Sequence, residues 1–232
     1  MMDRVCGRYV ASSSRAVLAD YFQIDETVDE TLIEPEVTSF NVAPTDPVPA
    51  VAVASNGSRR LGLFRWGLIP SWAKSGTGAA RMINARAETV RTLPAFRSAF
   101  ARRRCLLPAD GFYEWEKRPD GTKQPWLVHR ADGAPMAFAG LWEVWRTPAG
   151  ELLRTCSVIT STANALMAPI HDRMPVLIDP SDWEHWLDRN ADDVDALHGL
   201  LVPADDRLLE RYQVTTRVNS VRNNDPALLE PA

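Results

Sequence analysis

The sequence is poor in the features that usually announce a compartment or a cofactor. No apolar run approaches the roughly 18 residues that a membrane-spanning helix needs. The opening Met1-Met2-Asp3-Arg4-Val5-Cys6-Gly7-Arg8 lacks the apolar core of a secretory signal. A cytoplasmic location is therefore expected. Cysteine is scarce: Cys6, Cys105 and Cys156 are the only three, widely spaced and odd in number, which argues against a disulfide framework. No Cys-x-x-Cys, His-x-x-x-His or His-Glu-x-x-His spacing occurs, so a protein-built metal site has no support. Neither glycine-rich phosphate loop pattern is present, and the expected cofactor complement is none. Basic residues are outnumbered, 26 against 30 acidic, for a net charge of −4. That removes a global nucleic-acid signature but leaves room for a local one. Arg81, Arg86, Arg97, Arg102, Arg103 and Arg104 crowd one third of the chain, as an arginine patch or as a solvated helix end.

What is present describes an ordinary soluble domain, with 45% hydrophobic and 24% charged residues over 232 positions. That length suits one good-sized domain with a closed core. A short amphipathic helix is predicted from Ser14 to Phe22, capped among Ser12 to Ser14. Thr31 to Pro49 is proline-rich and predicts an extended loop containing Asn41-Val42-Ala43-Pro44. Val48 to Ala54 and Arg60 to Leu68 predict a hairpin around Ser55-Asn56-Gly57-Ser58. Ser71 to Ala80 is a small-residue loop carrying Trp72, and a helix is expected over Leu93 to Arg103. Short strands are expected at Cys105–Leu107, Gly111–Glu116, Trp126–His129, Met136–Trp142, Leu153–Thr160, Met174–Ile178 and Tyr212–Val218, with helices at Pro180–Arg189 and Asp192–Leu201. Short strands joined by turns, with irregularly placed helices, indicate α+β rather than a wound βαβ sheet.

Taken singly, the reactive residues say little. Cys105 and Cys156 sit in apolar runs and suit small core positions, and His129, His185 and His198 suit structural or surface roles. Glu114 lies among aromatics on an apolar strand, where a carboxylate either faces solvent or is buried with a raised pKa. The alternation of Phe112, Glu114 and Glu116 against Tyr113 and Trp115 leaves that facing open. His171, flanked by Asp172 and Arg173, fits either a catalytic or a hydrogen-bonded loop histidine.

In order along the chain stand Cys6-Gly7-Arg8, Asn41-Val42-Ala43-Pro44, Trp66-Gly67-Leu68-Ile69-Pro70 with Trp72, Asn84-Ala85-Arg86-Ala87-Glu88-Thr89, Gly111-Phe112-Tyr113-Glu114-Trp115, His171-Asp172-Arg173-Met174-Pro175, and Val218-Asn219 with Asn223. Together these blocks resemble the SOS response-associated peptidase (SRAP) family of abasic-site crosslinking proteins. The resemblance implies a single α+β domain around a twisted, barrel-like antiparallel sheet with peripheral helices. It implies a catalytic set of Cys6, Asn84, Glu114 and His171. Arg8, Asn41, Pro44, Trp72, Arg86, Trp115 and Arg173 would then contact DNA, the arginines on phosphates and Trp72 and Pro44 against unpaired bases. The implied partner is single-stranded DNA containing abasic sites, met by a monomer.

The implied chemistry needs a cysteine whose amine is free, because amine and thiol must add to the same aldehyde carbon. Met1 to Val5 precede Cys6, and the sequence departs from the family pattern there. Translation starting at Val5, or self-cleavage before Cys6, would expose the amine. Two other readings use the same residues: a cysteine peptidase or amidohydrolase acting in trans through Cys6, and a noncatalytic reader of modified DNA.

Overall fold

The computed structural model describes residues 7–24 and 38–232. Cys6 and residues 31–37 of the expected proline-rich loop fall outside that range. The first strand is β1 (Arg8–Ala11), followed by the helix α1 (Arg15–Tyr21). Ser14 caps α1, its hydroxyl accepting the Val17 N–H at 3.3 Å. Part of the region expected to be loop is a strand, β2 (Ser39–Val42). The expected hairpin is β3 (Pro47–Val53) and β4 (Arg59–Trp66), with Gly57 at φ +86 in the turn. Next come β5 (Asn84–Arg86) and α2 (Arg97–Arg102). The expected start of α2 at Leu93 fails because Leu93 precedes Pro94, which disfavours helical backbone there.

The centre of the chain is a run of strands: β6 (Arg104–Ala109), β7 (Gly111–Lys117), β8 (Lys123–Arg130), β9 (Met136–Arg146), β10 (Leu152–Thr162) and β11 (Arg173–Pro175). A 3-10 turn at Pro180–Asp182 leads into α3 (Trp183–Leu187), then α4 (Val194–Gly199) and β12 (Leu209–Gln213). The expected strand Tyr212–Val218 is thus displaced toward the N-terminus, and Thr216–Asn219 forms a 3-10 turn instead.

Two sheets result. One has the order β12-β8-β7-β1-β2, antiparallel throughout. The other closes on itself: β10 pairs with β4, β4 with β3, β3 with β6, β6 with β9, and β9 again with β10. The ring is antiparallel except where β4 and, beyond it, β5 run parallel to β10. β10 is long enough to hold β9 through Val158 and then β11 from Thr160 to Thr162. The architecture is α+β with a barrel-like core, as expected.

Tyr9, Phe64, Trp66, Cys105, Leu107, Phe138 and Cys156 belong to one buried apolar cluster. A second lies under the helices, with Phe22, Phe100, Leu106, Ile159, Trp183 and Trp186. Both remaining cysteines are fully buried, and desolvation pushes their thiols up in pKa. Gly140 on β9 lets two strands approach: a Cβ there would stand 2.7 Å from the Cys105 Sγ and 3.0 Å from Leu107 Cγ. Gly140→Ala should destabilise the fold by about 1–3 kcal/mol through overpacking. Adding Cys105→Ala should recover part of that loss in urea unfolding.

The arginine cluster divides. Arg104 is buried, and its guanidinium donates to the carbonyls of Trp186 (2.6 Å), Phe100 (2.7 Å) and Ala101 (2.8 Å), and to that of Asp188. Burial lowers its pKa to about 10. Arg103 pairs with Glu143 at 2.8 Å, and Arg102 reaches the Arg189 carbonyl at 3.2 Å. These three hold α2 and α3 to the barrel. Arg81, Arg86 and Arg97 are exposed.

Candidate functional site

β7 carries the centre of the site. Its ladder with β1 runs Arg8 opposite Tyr113, Tyr9 opposite Phe112 and Val10 opposite Gly111. Counting one residue back sets Gly7 alongside Glu114. β8 covers the other edge, with Glu114 opposite Trp126 and Lys117 opposite Lys123. Glu114 is 2% exposed, which answers the open question of its facing. A carboxylate that far from water is costly unless it is engaged, a cost tolerated where the group has work to do.

Glu114 shares a pocket of about 300 Å³ with Trp115, Lys117, Lys123, Ile170, His171 and Asn219. His171 is held by its loop: its N–H donates to the Met167 carbonyl at 3.0 Å. Its Nδ1 lies 3.1 Å from the Arg173 backbone N–H and 2.9 Å from Asp172 Oδ1. The first neighbour can only donate and the second only accept, so they ask for opposite protonation of Nδ1. Asp172 has 86% of its side chain exposed, open to solvent. The backbone N–H on Nδ1 fits a neutral ring whose Nδ1 accepts and whose proton is assigned to Nε2. Once protonated, the ring can turn its Nδ1–H to Asp172.

The other anticipated residues fall into groups around this pocket. Asn84 and Arg86 flank buried Ala85 on β5, opposite Val158 and Thr160 of β10, so both project to the same face. Arg173, two residues beyond His171, makes a bidentate pair with Glu88 at 2.6 and 3.0 Å and reaches the Thr160 carbonyl at 2.5 Å. The hydrogen bond from Arg173 holds the Glu88 carboxyl below the usual range. Arg173 thus ties the segment just after β5 to β10 and β11.

Arg8 donates to Asn41 Oδ1 at 2.7 Å and to the Val218 carbonyl at 2.9 Å. Burial lowers the Arg8 pKa, with Asp46 opposing. Asn41 is itself buried, and its amide nitrogen is shared among the carbonyls of Val218 (3.3 Å), Ser220 (3.0 Å) and Asn223 (2.9 Å). The two side chains clamp the 218–223 segment, which is why Val218 leaves the expected strand. The clamp presents Asn219, whose Oδ1 accepts the Trp115 indole N–H at 2.7 Å. Asn41→Leu should cost about 2–4 kcal/mol, since it strands buried carbonyls. Limited trypsin digestion should then cut at Arg217 or Arg222 well before the wild-type chain is nicked there.

Pro44 stands in the turn Ala43–Asp46, where the next residue, Thr45, has φ +82. A β-branched residue in that region is strained. The turn is fixed by the Ala43 N–H on Asp46 Oδ2 at 2.9 Å and the Thr45 N–H on the Trp66 carbonyl at 2.8 Å. Trp66 in turn donates its indole N–H to the Ile83 carbonyl at 2.9 Å, one residue before Asn84. Trp72 is apart from these groups, on the loop after Pro70 and 69% exposed.

Sequence reasoning did not single out Lys117 and Lys123 as part of this pocket. They flank the Pro119-Asp120-Gly121 turn, and fixing the hairpin register around that turn would have paired them. Among the described residues, no cluster of three or more His, Cys, Asp or Glu is arranged to hold a metal ion. Among them, too, no helix is long and apolar enough to cross a membrane.

A barrel closed through one long strand, flanked by a sheet that buries a carboxylate beside a histidine-bearing loop, defines an α+β protein with a polar surface pocket. Residues 5–221 match the model of the SOS response associated peptidase (SRAP) family, and the chain belongs to that family. It is 43% identical over 227 residues to the abasic site processing protein YoqW of Bacillus subtilis (strain 168), covering 97% of this chain and 99% of that one. It is also 32% identical over 202 residues to the abasic site processing protein HMCES of Gallus gallus, covering 77% of this chain and 59% of that one. A crystal structure of a protein from Bacteroides thetaiotaomicron superposes with a TM-score of 0.87 at 25% identity, over 98% of this chain and all (100%) of the other.

Proposed function

We propose that this protein binds single-stranded DNA and joins Cys6 to the ring-opened aldehyde of an abasic site as a thiazolidine, shielding the lesion. The observation that carries the reading is the convergence of buried Glu114 and His171 on one pocket next to the start of β1, where Gly7 follows Cys6. The names of the relatives, abasic site processing proteins, point to the same substrate.

The chemistry balances with the residues present. The α-amine of a terminal Cys6 adds to the aldehyde carbon and water leaves, giving an imine. The thiol then adds to that carbon and its proton passes to nitrogen, closing the five-membered ring. An α-amine has a pKa near 7.7–8.0 against about 10.4 for an ordinary lysine, so its free-base fraction at neutral pH is roughly a few hundred times larger. That favours the terminus over any lysine lining the pocket. Glu114 accepts the amine's proton and returns it on reversal. His171, with its proton on Nε2, donates to the sugar oxygen as the ring opens or to the departing hydroxyl. Asn84 fixes the sugar without adding charge. Arg86, Arg8 and Arg173 favour the phosphate chain, and Pro44 and Trp72 contact unpaired bases.

The mechanism requires Cys6 at the mature terminus, reached by initiation at Val5 or by self-cleavage of the Val5–Cys6 bond. In the second case the same cysteine acts as an autopeptidase. The protein works as a cytoplasmic monomer on this reading. The test is direct. Protein with a mass-verified Cys6 terminus is mixed with single-stranded DNA bearing one abasic site, then run on a denaturing gel. A retarded band is expected, and no band sinks the reading. Turnover of a peptide in trans without a band would instead favour a peptidase.

A further inference from the structure

The barrel is filled unevenly along its axis. Around Tyr9 of β1 large rings occupy it, with Trp66 and Phe138 edge-on at 5.1 and 5.8 Å between centroids. Farther along, the inward positions of β3 and β4 hold Ala50, Ala52 and Gly62, and a cavity of about 230 Å³ opens there. A Cβ at Gly62 would meet Phe64 at 3.7 Å, an ordinary contact, so close approach of two chains does not explain the glycine. Small residues stand where larger ones would fit, and the space is therefore a property of the sequence. β10 shows how far it lies from Glu114 and His171. Arg154, which lines the cavity, is near the start of that strand, while Thr160–Thr162 at its end pair with β11 just after His171. The eight residues from Arg154 to Thr162 cover up to about 26 Å.

The lining is apolar within and cationic at the rim. Phe64 and Trp142 form one wall, 5.5 Å apart between centroids and inclined at 46°. Half-buried Trp142 presents an indole N–H to which the described residues offer no acceptor. Arg154 is exposed, and among the described residues no hydrogen bond or ion pair engages its guanidinium. Arg60 lines the cavity too, but its Nε–H is spent on Ser58 Oγ at 3.1 Å, so recognition falls to Arg154. No carboxylate stands among the described lining residues. Guanidinium and indole only donate, so the rim calls for an acceptor of negative charge and the walls for an apolar body.

We propose that this mouth of the barrel binds a compact apolar carboxylate, its body against Phe64 and Trp142 and its carboxylate on Arg154. The cavity shares no lining residue with the Glu114 pocket, so the proposal stands apart from the DNA-binding reading.

The test titrates the full chain with 2-naphthoate and with the neutral 2-naphthalenemethanol, which carries the same rings, by ligand-observed NMR. The acid should bind roughly threefold to tenfold more tightly than the alcohol. Arg154→Met keeps an apolar stem and should abolish that preference while leaving the alcohol's affinity as it was. Gly62→Val places two methyl groups in the cavity and should weaken both compounds roughly tenfold. Thermal melts establish that the variants are folded, and Arg154→Met decides the matter alone if Gly62→Val is not. Wild-type protein that binds neither compound overturns the site. So does Arg154→Met that still prefers the acid, or folded Gly62→Val that binds both compounds as the wild type does.

Discussion

Cys6→Ala, on a chain whose terminus has been trimmed to residue 6, should leave no stable covalent product with abasic DNA. The variant still carries an α-amine, so it can condense with the aldehyde to an imine, but no thiol remains to close the ring. The retarded band should therefore fall to background on an ordinary denaturing gel and reappear when borohydride reduces the imine. A chain that keeps Met1 to Val5 should give neither band at position 6, because its Cys6 nitrogen is an amide. Gel electrophoresis with and without reductant, together with intact mass, separates these states. A band from Cys6→Ala equal to the wild type without reductant would place the nucleophile elsewhere.

Glu114→Gln should slow crosslink formation by about two to four orders of magnitude, the usual worth of a positioned general acid or base. Glutamine nearly matches glutamate in shape and keeps polar atoms at the same positions, so a cooperative thermal melt should show that the variant is folded while the rate is lost. Single-turnover kinetics at saturating protein, paired with thermal melts, check this, and a folded variant that keeps the wild-type rate removes Glu114 from the chemistry.

The parts of the fold that were legible in the sequence are those set by local rules. The β3–β4 hairpin follows from alternating apolar residues around Asn56-Gly57, and α1 from a serine cap ahead of Leu18 and Phe22. Elements decided by distant contacts were misread. Val214, Thr215, Thr216 and Val218 favour a strand by propensity, yet Asn41 and Arg8 draw the Val218 carbonyl into a turn. Arg104 looks like one of a surface run, and only the folded chain shows four carbonyls converging on it. The parallel register of β4 and β5 on β10 has no local signal at all.

The site divides the same way. Glu114 and His171 stood out by their awkward settings, an acid among aromatics and a histidine between opposite charges. Their shared pocket joins residues far apart in the chain, so no spacing rule reveals it. Asn41 stood out too, but as a candidate for touching DNA, whereas its amide is spent on the 218–223 carbonyls.

β10 is paired along both edges, to β9 and then β11 on one side and to β4 and then β5 on the other. It is synthesised after most of its partners, so the ring stays open until residue 158 has emerged. Asn84 and Arg86 on β5, and Arg173 with His171 just before it, have no fixed mutual positions until that strand docks. Closure of the core thus precedes assembly of the full surface, which also needs the His171 loop and β11. A nascent or truncated chain ending before β10 carries Glu114 but neither His171 nor the strand that positions β5. On the proposed chemistry, reactivity toward aldehydes would then wait for completion of the chain, and half-made copies would stay chemically quiet.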